Sequence, residues 1–299
     1  MSRPPTLDLP DGTRASRMAT RRGDFAVHDI GRAEHGTVLL VPGYTGSKED
    51  FLGLLKPVAQ AGFRAVAVDG RGQHESGGPR DETAYARDEL ADDLLAQAEA
   101  LGGRVHLVGH SLGGLIARSA VLRDASPIAS LTLMSSGPAA ISRSQQLRVR
   151  LLLKGLAVLD METVWRAMRV FDRFSGPAAK SPLEPVNEAV PPAVLAFLHQ
   201  RWLNTVPEQL KATGRQLLKE PDRVAELARV PMRMHVLSGE RDDAWPVAWM
   251  DEMARRLRAR RTVIAGAQHS PNADRPLETA RELVSGWHAA AEPHPPDRP

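Results

Sequence analysis

The sequence predicts an α/β protein with a mostly parallel, twisted sheet, helices on both faces and a helical cap inserted between two strands. Short apolar runs alternate with amphipathic stretches of helical length along most of the 299 residues. This alternation is typical of parallel strands joined by crossover helices. One long stretch contains helical patterns only. The chain is 42% hydrophobic, which is enough to bury one large core.

The predicted strands are short apolar runs, as expected for buried strands in a parallel sheet. They cover residues 24–30, 37–41, 65–68, 105–108, 130–134, 232–237 and 262–264. The first alternates apolar and polar residues, so we expect it at the edge of the sheet. The predicted helices between and after them cover residues 47–61, 83–101, 115–122, 246–257 and 273–290. Ser47 is the candidate N-cap of the first helix, with Asp50 three residues on. Pro57 is expected to break or restart this helix.

The stretch from 139 to 227 lacks any strand signal. Its helical patterns cover residues 146–159, 162–174, 192–203 and 208–218. Ligands of open α/β sheets bind at the carboxyl ends of the strands, so an insertion there is expected to cover that edge. The sequence therefore predicts a core of residues 24–138 and 228–290, with residues 139–227 as its cap. The Pro-rich ends, 1–23 and 291–299, are expected to be flexible tails.

Composition narrows the classes of function. The absence of cysteine excludes disulfides, thiolate nucleophiles and cysteine metal sites, and weakly favours a cytoplasmic location. The net charge is +3, with basic residues interspersed among acidic ones, which predicts no nucleic-acid surface. The sequence contains no run of eighteen apolar residues, so no integral membrane segment is predicted. Residues 1–23 lack the apolar stretch of a secretory signal. No particular oligomeric state is predicted.

A candidate nucleophile lies at the junction of a predicted strand and helix. Residues 109–113 read Gly-His-Ser-Leu-Gly, a pattern that holds a serine on a sharp turn between the two elements. The glycines are needed because larger side chains would collide with the facing strand and helix. The N–H of Leu112, at the start of the helix, can donate to an oxyanion. A plain turn would share the pattern, but its context favours Ser111 as a nucleophile.

A serine hydroxyl needs a base, and the base needs an acid that orients it. His269 follows the last predicted strand, where a loop can swing its ring over the edge of the sheet. His106 and His235 lie inside strands and are expected to pack there. His110 adjoins the nucleophile, but its ring is expected to face away from the reacting atoms.

The acid should come between the serine and the histidine in the chain. Asp242 lies three residues after Gly239 and four before Pro246, which places it at the bend after a strand. Asp243 is the second candidate and Glu240 the third, although solvation of a loop also explains these two.

The loop after strand 37–41 reads Pro-Gly-Tyr-Thr-Gly, and it is the candidate source of the second oxyanion donor. Gly43 lets the backbone approach the substrate closely, and the N–H of Tyr44 can face Ser111. A plain glycine-rich turn is the alternative. In the cap, three candidates for an apolar acyl pocket are Met161, Trp165 and Met168, although helical spacing of such residues more often reflects core packing.

With these motifs in place, the sequence resembles the α/β-hydrolase superfamily, and within it the lidded esterases and monoacylglycerol-lipase-like proteins. The resemblance covers residues 25–287 and rests on residues 42–46, 69–76, 109–113, 239–246 and 268–270. It implies an α/β-hydrolase fold and a triad of Ser111, Asp242 and His269, with no metal and no cofactor. A serine at the elbow argues against epoxide hydrolases and haloalkane dehalogenases, whose nucleophile is an aspartate.

Two positions depart from the family pattern. Pro42 stands where the family usually has a histidine before Gly43, and the amide of Tyr44 is unaffected by this change. His74 stands where the family's Asp-x-Arg-Gly-x-Gly-x-Ser segment has its second glycine. In the family this segment, here residues 69–76, is structural and supports the oxyanion loop, so Asp69 is given no catalytic role.

The predicted function is hydrolysis of a small-molecule carboxylic ester through an acyl-enzyme. Cleavage of an amide, lactone, thioester or carbon–carbon bond on the same triad is an alternative, as is a cofactor-free perhydrolase. A non-catalytic ligand-binding protein on a hydrolase fold is an alternative from another class. The presence of all three triad residue types argues against it.

Overall fold

The computed structural model describes residues 3–174 and 191–291. Within them, eight strands form one sheet in the order β1-β2-β4-β3-β5-β6-β7-β8. The pairs β1–β2 and β2–β4 are antiparallel and all the others are parallel, which confirms the mostly parallel sheet. The strands are β1 Arg14–Thr20, β2 Gly23–Ile30, β3 Gly36–Val41, β4 Phe63–Val68, β5 Val105–His110, β6 Ile128–Met134, β7 Arg233–Gly239 and β8 Arg260–Ile264.

The first strand was missed by the sequence analysis, which placed it in a flexible tail. Arg14–Thr20 pairs antiparallel with Gly23–Ile30, so β1 is the edge strand and β2 is not. Most of its side chains are exposed, so no apolar alternation marks it in the sequence. Its place is fixed by backbone pairing and by ion pairs such as Arg14 Nη2 with Asp29 Oδ2 at 3.0 Å. Residues 292–299 of the other predicted tail lie outside the described residues.

Eleven α-helices are described, together with two 3₁₀ turns at Lys48–Phe51 and Glu82–Tyr85. The helices are α1 Leu52–Gln60, α2 Arg87–Ala100, α3 Leu112–Arg123, α4 Arg143–Val158, α5 Met161–Phe174, α6 Pro192–Asn204, α7 Pro207–Lys219, α8 Val224–Leu227, α9 Val247–Leu257, α10 Pro271–Asp274 and α11 Pro276–Ala291. The prediction that Pro57 breaks the first helix is wrong. Pro57 lies inside α1, and its carbonyl still accepts the N–H of Ala61 at 3.2 Å.

The sheet separates two hydrophobic cores, because successive side chains of a strand point to opposite faces. In β3, Val38 and Leu40 pack against α1 and α11. Leu39 and Val41 face the other way and pack against α2, α3 and α9. Helices therefore cover both faces, as the sequence predicts.

Helices α4 to α8 lie between β6 and β7 in the chain, with residues 175–190 outside the described part. Two contacts tie this insertion to loops at the carboxyl ends of β3 and β4. Tyr44 Oη donates to the carbonyl of Leu210 in α7 at 2.7 Å. The N–H of Val206, just before α7, donates to the carbonyl of Gly72 at 2.8 Å. The insertion thus packs against the edge of the sheet at which the candidate site lies.

Candidate active site

The turn between β5 and α3 holds Ser111 in a conformation that few residues adopt. Its φ is 54° and its ψ −120°, and its N–H donates to the carbonyl of Met134 at 2.9 Å. Such a backbone conformation costs energy and persists only where the surroundings enforce it. The surroundings are tight, since a Cβ on Gly113 would lie 2.5 Å from the carbonyl oxygen of Val41, and one on Gly109 would collide with α3.

A continuous hydrogen-bond chain joins Ser111, His269 and Asp242. Ser111 Oγ lies 3.0 Å from His269 Nε2. His269 Nδ1 lies 2.9 Å from Asp242 Oδ2 and 3.0 Å from Oδ1. The Asp242 side chain is fully buried, whereas 23% of the His269 side chain is exposed. This is the geometry in which a histidine can take a proton from a serine hydroxyl while a carboxylate orients its ring.

The loop after β7 brings one of the three candidate acids to His269. The N–H groups of Ala244 and Trp245 donate to Asp242 Oδ1 at 2.8 and 3.0 Å, and they fix the carboxylate in place. Glu240 instead accepts the N–H of Gly266 at 3.0 Å, and it therefore caps the turn that precedes His269. Asp243 is exposed.

His110 makes a contact with His269 that the sequence analysis did not predict. Its Nε2 lies 2.8 Å from the backbone carbonyl of His269, and the two rings lie 5.1 Å apart. Burial, together with the nearby His269, lowers the pKa of His110 to about 3. The ring is therefore neutral at working pH, and its Nε2–H donates to the His269 carbonyl. The position of His110 directly before the nucleophile was the available signal.

The candidate oxyanion loop lies against the nucleophile. A Cβ on Gly43 would lie 3.1 Å from Ser111 Cβ, so only glycine allows this approach without displacement. Gln73 Nε2 donates to the Gly43 carbonyl at 2.7 Å and holds the loop from the side. The N–H of Leu112 lies in the first turn of α3, where backbone N–H groups have no partner within the helix. Donors from both segments can thus converge near Ser111 Oγ.

The segment 69–76 holds the turn that follows the candidate oxyanion loop through a buried ion pair. Asp69 accepts two hydrogen bonds from Lys48, one from its backbone N–H at 2.7 Å and one from its side-chain ammonium Nζ at 2.9 Å. Burial by itself would lower the pKa of Lys48. The negative charges of Asp69 and Glu49 outweigh this effect, so the pKa of Lys48 is raised. These contacts are structural and do not include the triad, as the resemblance implies for this segment.

One group of metal-ligand type occurs among the described residues, and it consists of Glu49, His74 and Glu75. Lys48 Nζ lies 2.8 Å from Glu49 Oε1 and 2.7 Å from Glu75 Oε2. The lysine ammonium therefore occupies the position that a cation would take. This arrangement does not fit a metal site.

The His74 departure from the family pattern has a visible consequence. His74 has a φ of 40°, in the region that glycine adopts most easily. Its ring packs edge-on against Phe197 of α6, with ring centroids 5.5 Å apart. The side chain that replaces the family's glycine thus contacts the inserted helices.

The three cap residues proposed for an acyl pocket belong to a hydrophobic cluster within the insertion. Trp165 is 8% exposed and stacks on His199 with ring centroids 5.1 Å apart. Met161 and Met168 pack against the same cluster, and Tyr44 of the candidate oxyanion loop borders it. Packing therefore accounts for the burial of Trp165, and a pocket role for the three stays a prediction.

The remaining candidate histidines pack inside strands. His106 Nδ1 lies 2.8 Å from Ser130 Oγ, and His235 Nε2 lies 2.9 Å from Thr262 Oγ1. Burial lowers the pKa of His106 to about 4. Both rings lie away from the Ser111 chain, as the sequence predicts.

Comparison with known proteins gives matches at the level of family and fold. Residues 38–282 match the family described as "Alpha/beta hydrolase family". The chain is 35% identical over 113 residues to the putative carbamate hydrolase RutD of Variovorax paradoxus, a stretch of 38% of this chain and 41% of that protein. It is 29% identical over 118 residues to an epoxide hydrolase of Caballeronia sordidicola, or 39% of this chain and 35% of that one. The chain thus spans about two fifths of these relatives or less.

Solved structures match over nearly the whole chain. A thermophilic esterase from Thermogutta terrifontis superposes with a TM-score of 0.72 at 21% identity, covering 93% of this chain and 100% of that one. A putative aryl esterase from Burkholderia cenocepacia gives 0.73 at 20% identity, covering 93% and 99%. At such low identity the likeness shows the fold. Among the described helices, none is long and apolar enough to cross a bilayer.

Proposed function

The chain belongs to the alpha/beta hydrolase family, and we propose that it is a serine hydrolase that cleaves small carboxylic esters through an acyl-enzyme. The observation that carries the proposal is the unbroken chain from Ser111 Oγ through His269 to the buried Asp242. A strained nucleophile in contact with a histidine that a carboxylate orients is the arrangement that acyl transfer requires.

In the proposed mechanism Ser111 Oγ attacks the acyl carbonyl while His269 Nε2 takes its proton. Asp242 holds the imidazole in the tautomer with its proton on Nδ1 and stabilises the imidazolium that forms. His269 then gives the proton to the departing alcohol, and water, activated by the same histidine, hydrolyses the acyl-enzyme.

The negative charge on the tetrahedral oxygen is stabilised, in this proposal, by the backbone N–H groups of Leu112 and Tyr44. The position of Leu112 at the start of α3 and the close approach of Gly43 to Ser111 support it. Each such donor is worth about 2.7–4 kcal/mol of transition-state stabilisation.

The ester assignment is supported by the esterase-like folds, and a carbamate is the second candidate. Its support is the 35% identity to a putative carbamate hydrolase over 113 residues. Both substrates carry a carbonyl that the same serine can attack, so the chemistry of the triad does not separate them. Turnover of matched esters and carbamates with the same leaving group would do so.

The decisive experiment is labelling with a fluorophosphonate, which reacts covalently with activated serines. We expect one adduct per chain, on the peptide that contains Ser111, and its loss in Ser111→Ala. The matched control is Ser144→Ala, which removes an exposed serine of α4 and should leave labelling unchanged. Labelling that survives Ser111→Ala would show that this serine is not the nucleophile. No labelling at all would favour a binding protein.

A further inference from the structure

Helix α4 presents an apolar stripe to solvent. Leu147, Leu151 and Val158 are 61%, 53% and 80% exposed, and Leu159, just after the helix, is 44% exposed. The three helical residues lie within about 40° of one another around the axis, at 100° per residue. The opposite face is buried through Val149, Leu152 and Leu156. The helix therefore has two apolar faces, of which only this buried one packs on the described part of the chain.

Exposed large hydrophobic side chains are concentrated on and next to this helix. Nine large hydrophobic side chains are exposed among the described residues, and four of them are these neighbours on or next to α4. Single exposed leucines are ordinary, but a contiguous apolar patch usually marks an interaction surface. The side chains around the stripe therefore decide which partner it fits.

The charge of α4 points to an anionic partner. The helix carries four basic residues and no acidic one, and the basic residues are Arg143, Arg148, Arg150 and Lys154. Arg143, Arg150 and Lys154 are exposed on one side of the stripe. The nearest acid of the next helix, Glu162, is already bound by Arg166 at 2.8 Å and His199 at 2.6 Å. A second copy of the chain would bring two basic helices together, which disfavours self-association through this face.

We propose that α4 lies in the plane of an anionic lipid surface, with its leucine stripe in the headgroup region and its basic side chains on lipid phosphates. Helices that lie on membranes in this way combine an apolar face with flanking arginine and lysine. The start of α4 is attached to the candidate acid loop, because Ser142 Oγ donates to the carbonyl of Asp243 at 2.7 Å. The proposed surface therefore adjoins the candidate site without including it.

The test is sedimentation of the full chain with vesicles of phosphatidylcholine, alone or mixed with phosphatidylglycerol. We expect binding to the anionic vesicles only, and weaker binding as salt is added. Arg150→Gln/Lys154→Gln should lower the partition coefficient about 25-fold, at about fivefold for each basic residue neutralised. Leu147→Asp/Leu151→Asp should lower it by about 100-fold, since both apolar contacts are lost.

Two controls keep the result specific. Leu277→Asp changes a leucine of α11 that is 55% exposed, and it should bind vesicles as the unmodified protein does. Ser111→Ala should also bind vesicles as the unmodified protein does. Vesicle binding and serine labelling are therefore independent measurements, and one proposal can fail without the other. Circular dichroism would verify that each variant is folded.

Equal binding to neutral and anionic vesicles, or no binding to either, would overturn the proposal. An equal loss in Leu277→Asp would also overturn it, since the stripe would then have no special role. A dimer seen by light scattering and abolished by Leu147→Asp/Leu151→Asp would assign the face to a contact between copies of this chain instead.

Discussion

A buried ion pair between α6 and the 3₁₀ turn that follows the candidate oxyanion loop gives the sharpest test of how the insertion supports the site. Arg201 Nη1 lies 2.7 Å from Asp50 Oδ1, and the two side chains are 1% and 0% exposed. Asp50 also accepts the N–H of Ser47 at 3.3 Å, and its carbonyl accepts Asn272 Nδ2 at 2.8 Å. Asp50 thus connects the turn after the candidate oxyanion loop, the inserted helices and the helix that follows His269.

Arg201→Met keeps most of the side-chain volume but removes the charge that neutralises Asp50. Removing one partner of a buried pair leaves an uncompensated charge, which costs about 3–5 kcal/mol of unfolding free energy. The matched control is Arg166→Met, on an arginine of α5 that is 75% exposed and paired with Glu162. A surface pair contributes about 0–1 kcal/mol, so this variant should lose little. Urea unfolding with linear extrapolation measures both.

The loss of unfolding free energy in Arg201→Met should depend on pH, and the structure gives the direction of this dependence. Burial raises the pKa of Asp50, and Arg201 opposes that rise. Without Arg201 the folded-state pKa of Asp50 rises further above the unfolded value of about 3.9. An acid whose pKa is raised in the folded state destabilises the fold as pH climbs through that interval. The deficit of Arg201→Met should therefore shrink from neutral pH towards about pH 4.

The double variant Arg201→Met/Asp50→Asn removes both charges and should recover most of the lost stability. A deficit that is flat with pH, or a double variant no more stable than Arg201→Met, would refute the charge argument. It would leave lost packing as the cause. A deficit below 1 kcal/mol, as for a surface pair, would show that the pair is not buried in solution.

Three further predictions concern the site and the insertion. Asp242→Asn should lower kcat by about 10⁴-fold, because His269 would be held in the wrong tautomer. The exposed Asp243→Asn should keep the steady-state kcat of the unmodified protein. The reverse result would make Asp243 the acid that orients His269. His110→Phe removes the donor to the His269 carbonyl and should lower kcat about tenfold with KM nearly unchanged; an unchanged kcat would contradict this. Trp165→Ala should lower the unfolding free energy in urea by about 3–5 kcal/mol; an altered ester chain-length preference at full stability would instead favour an acyl pocket.

The parts of the fold that the sequence predicts are those with a local signal. Buried parallel strands such as β3 appear as short apolar runs, because both of their faces are covered. The turn at Ser111 appears as a glycine pattern, since those positions tolerate no side chain. Strand β1 has neither signal, because it is an exposed edge strand held by backbone pairing.

The candidate triad is predictable although its members are far apart in the chain. Ser111 and His269 are separated by 158 positions, yet both follow strands of one parallel sheet. Carboxyl ends of parallel strands share an edge, so residues just after two such strands meet there. The acid required a finer choice among Asp242, Asp243 and Glu240. Which carboxylate faces His269 depends on the backbone N–H groups that hold it, and spacing only suggests this.

The contacts of the insertion could not be predicted from spacing, because they depend on single side chains rather than on strand order. Arg201 lies in an amphipathic helical pattern, where an arginine normally faces water, and its partner Asp50 lies 151 positions earlier. Tyr44 is a turn residue whose hydroxyl reaches a carbonyl of α7. The first contact joins the insertion to the 3₁₀ turn that follows the loop proposed to bind the oxyanion, and the second joins it to that loop itself. It follows that α6 and α7 cannot move away from the site as a free lid without breaking a buried ion pair and a hydrogen bond of that loop.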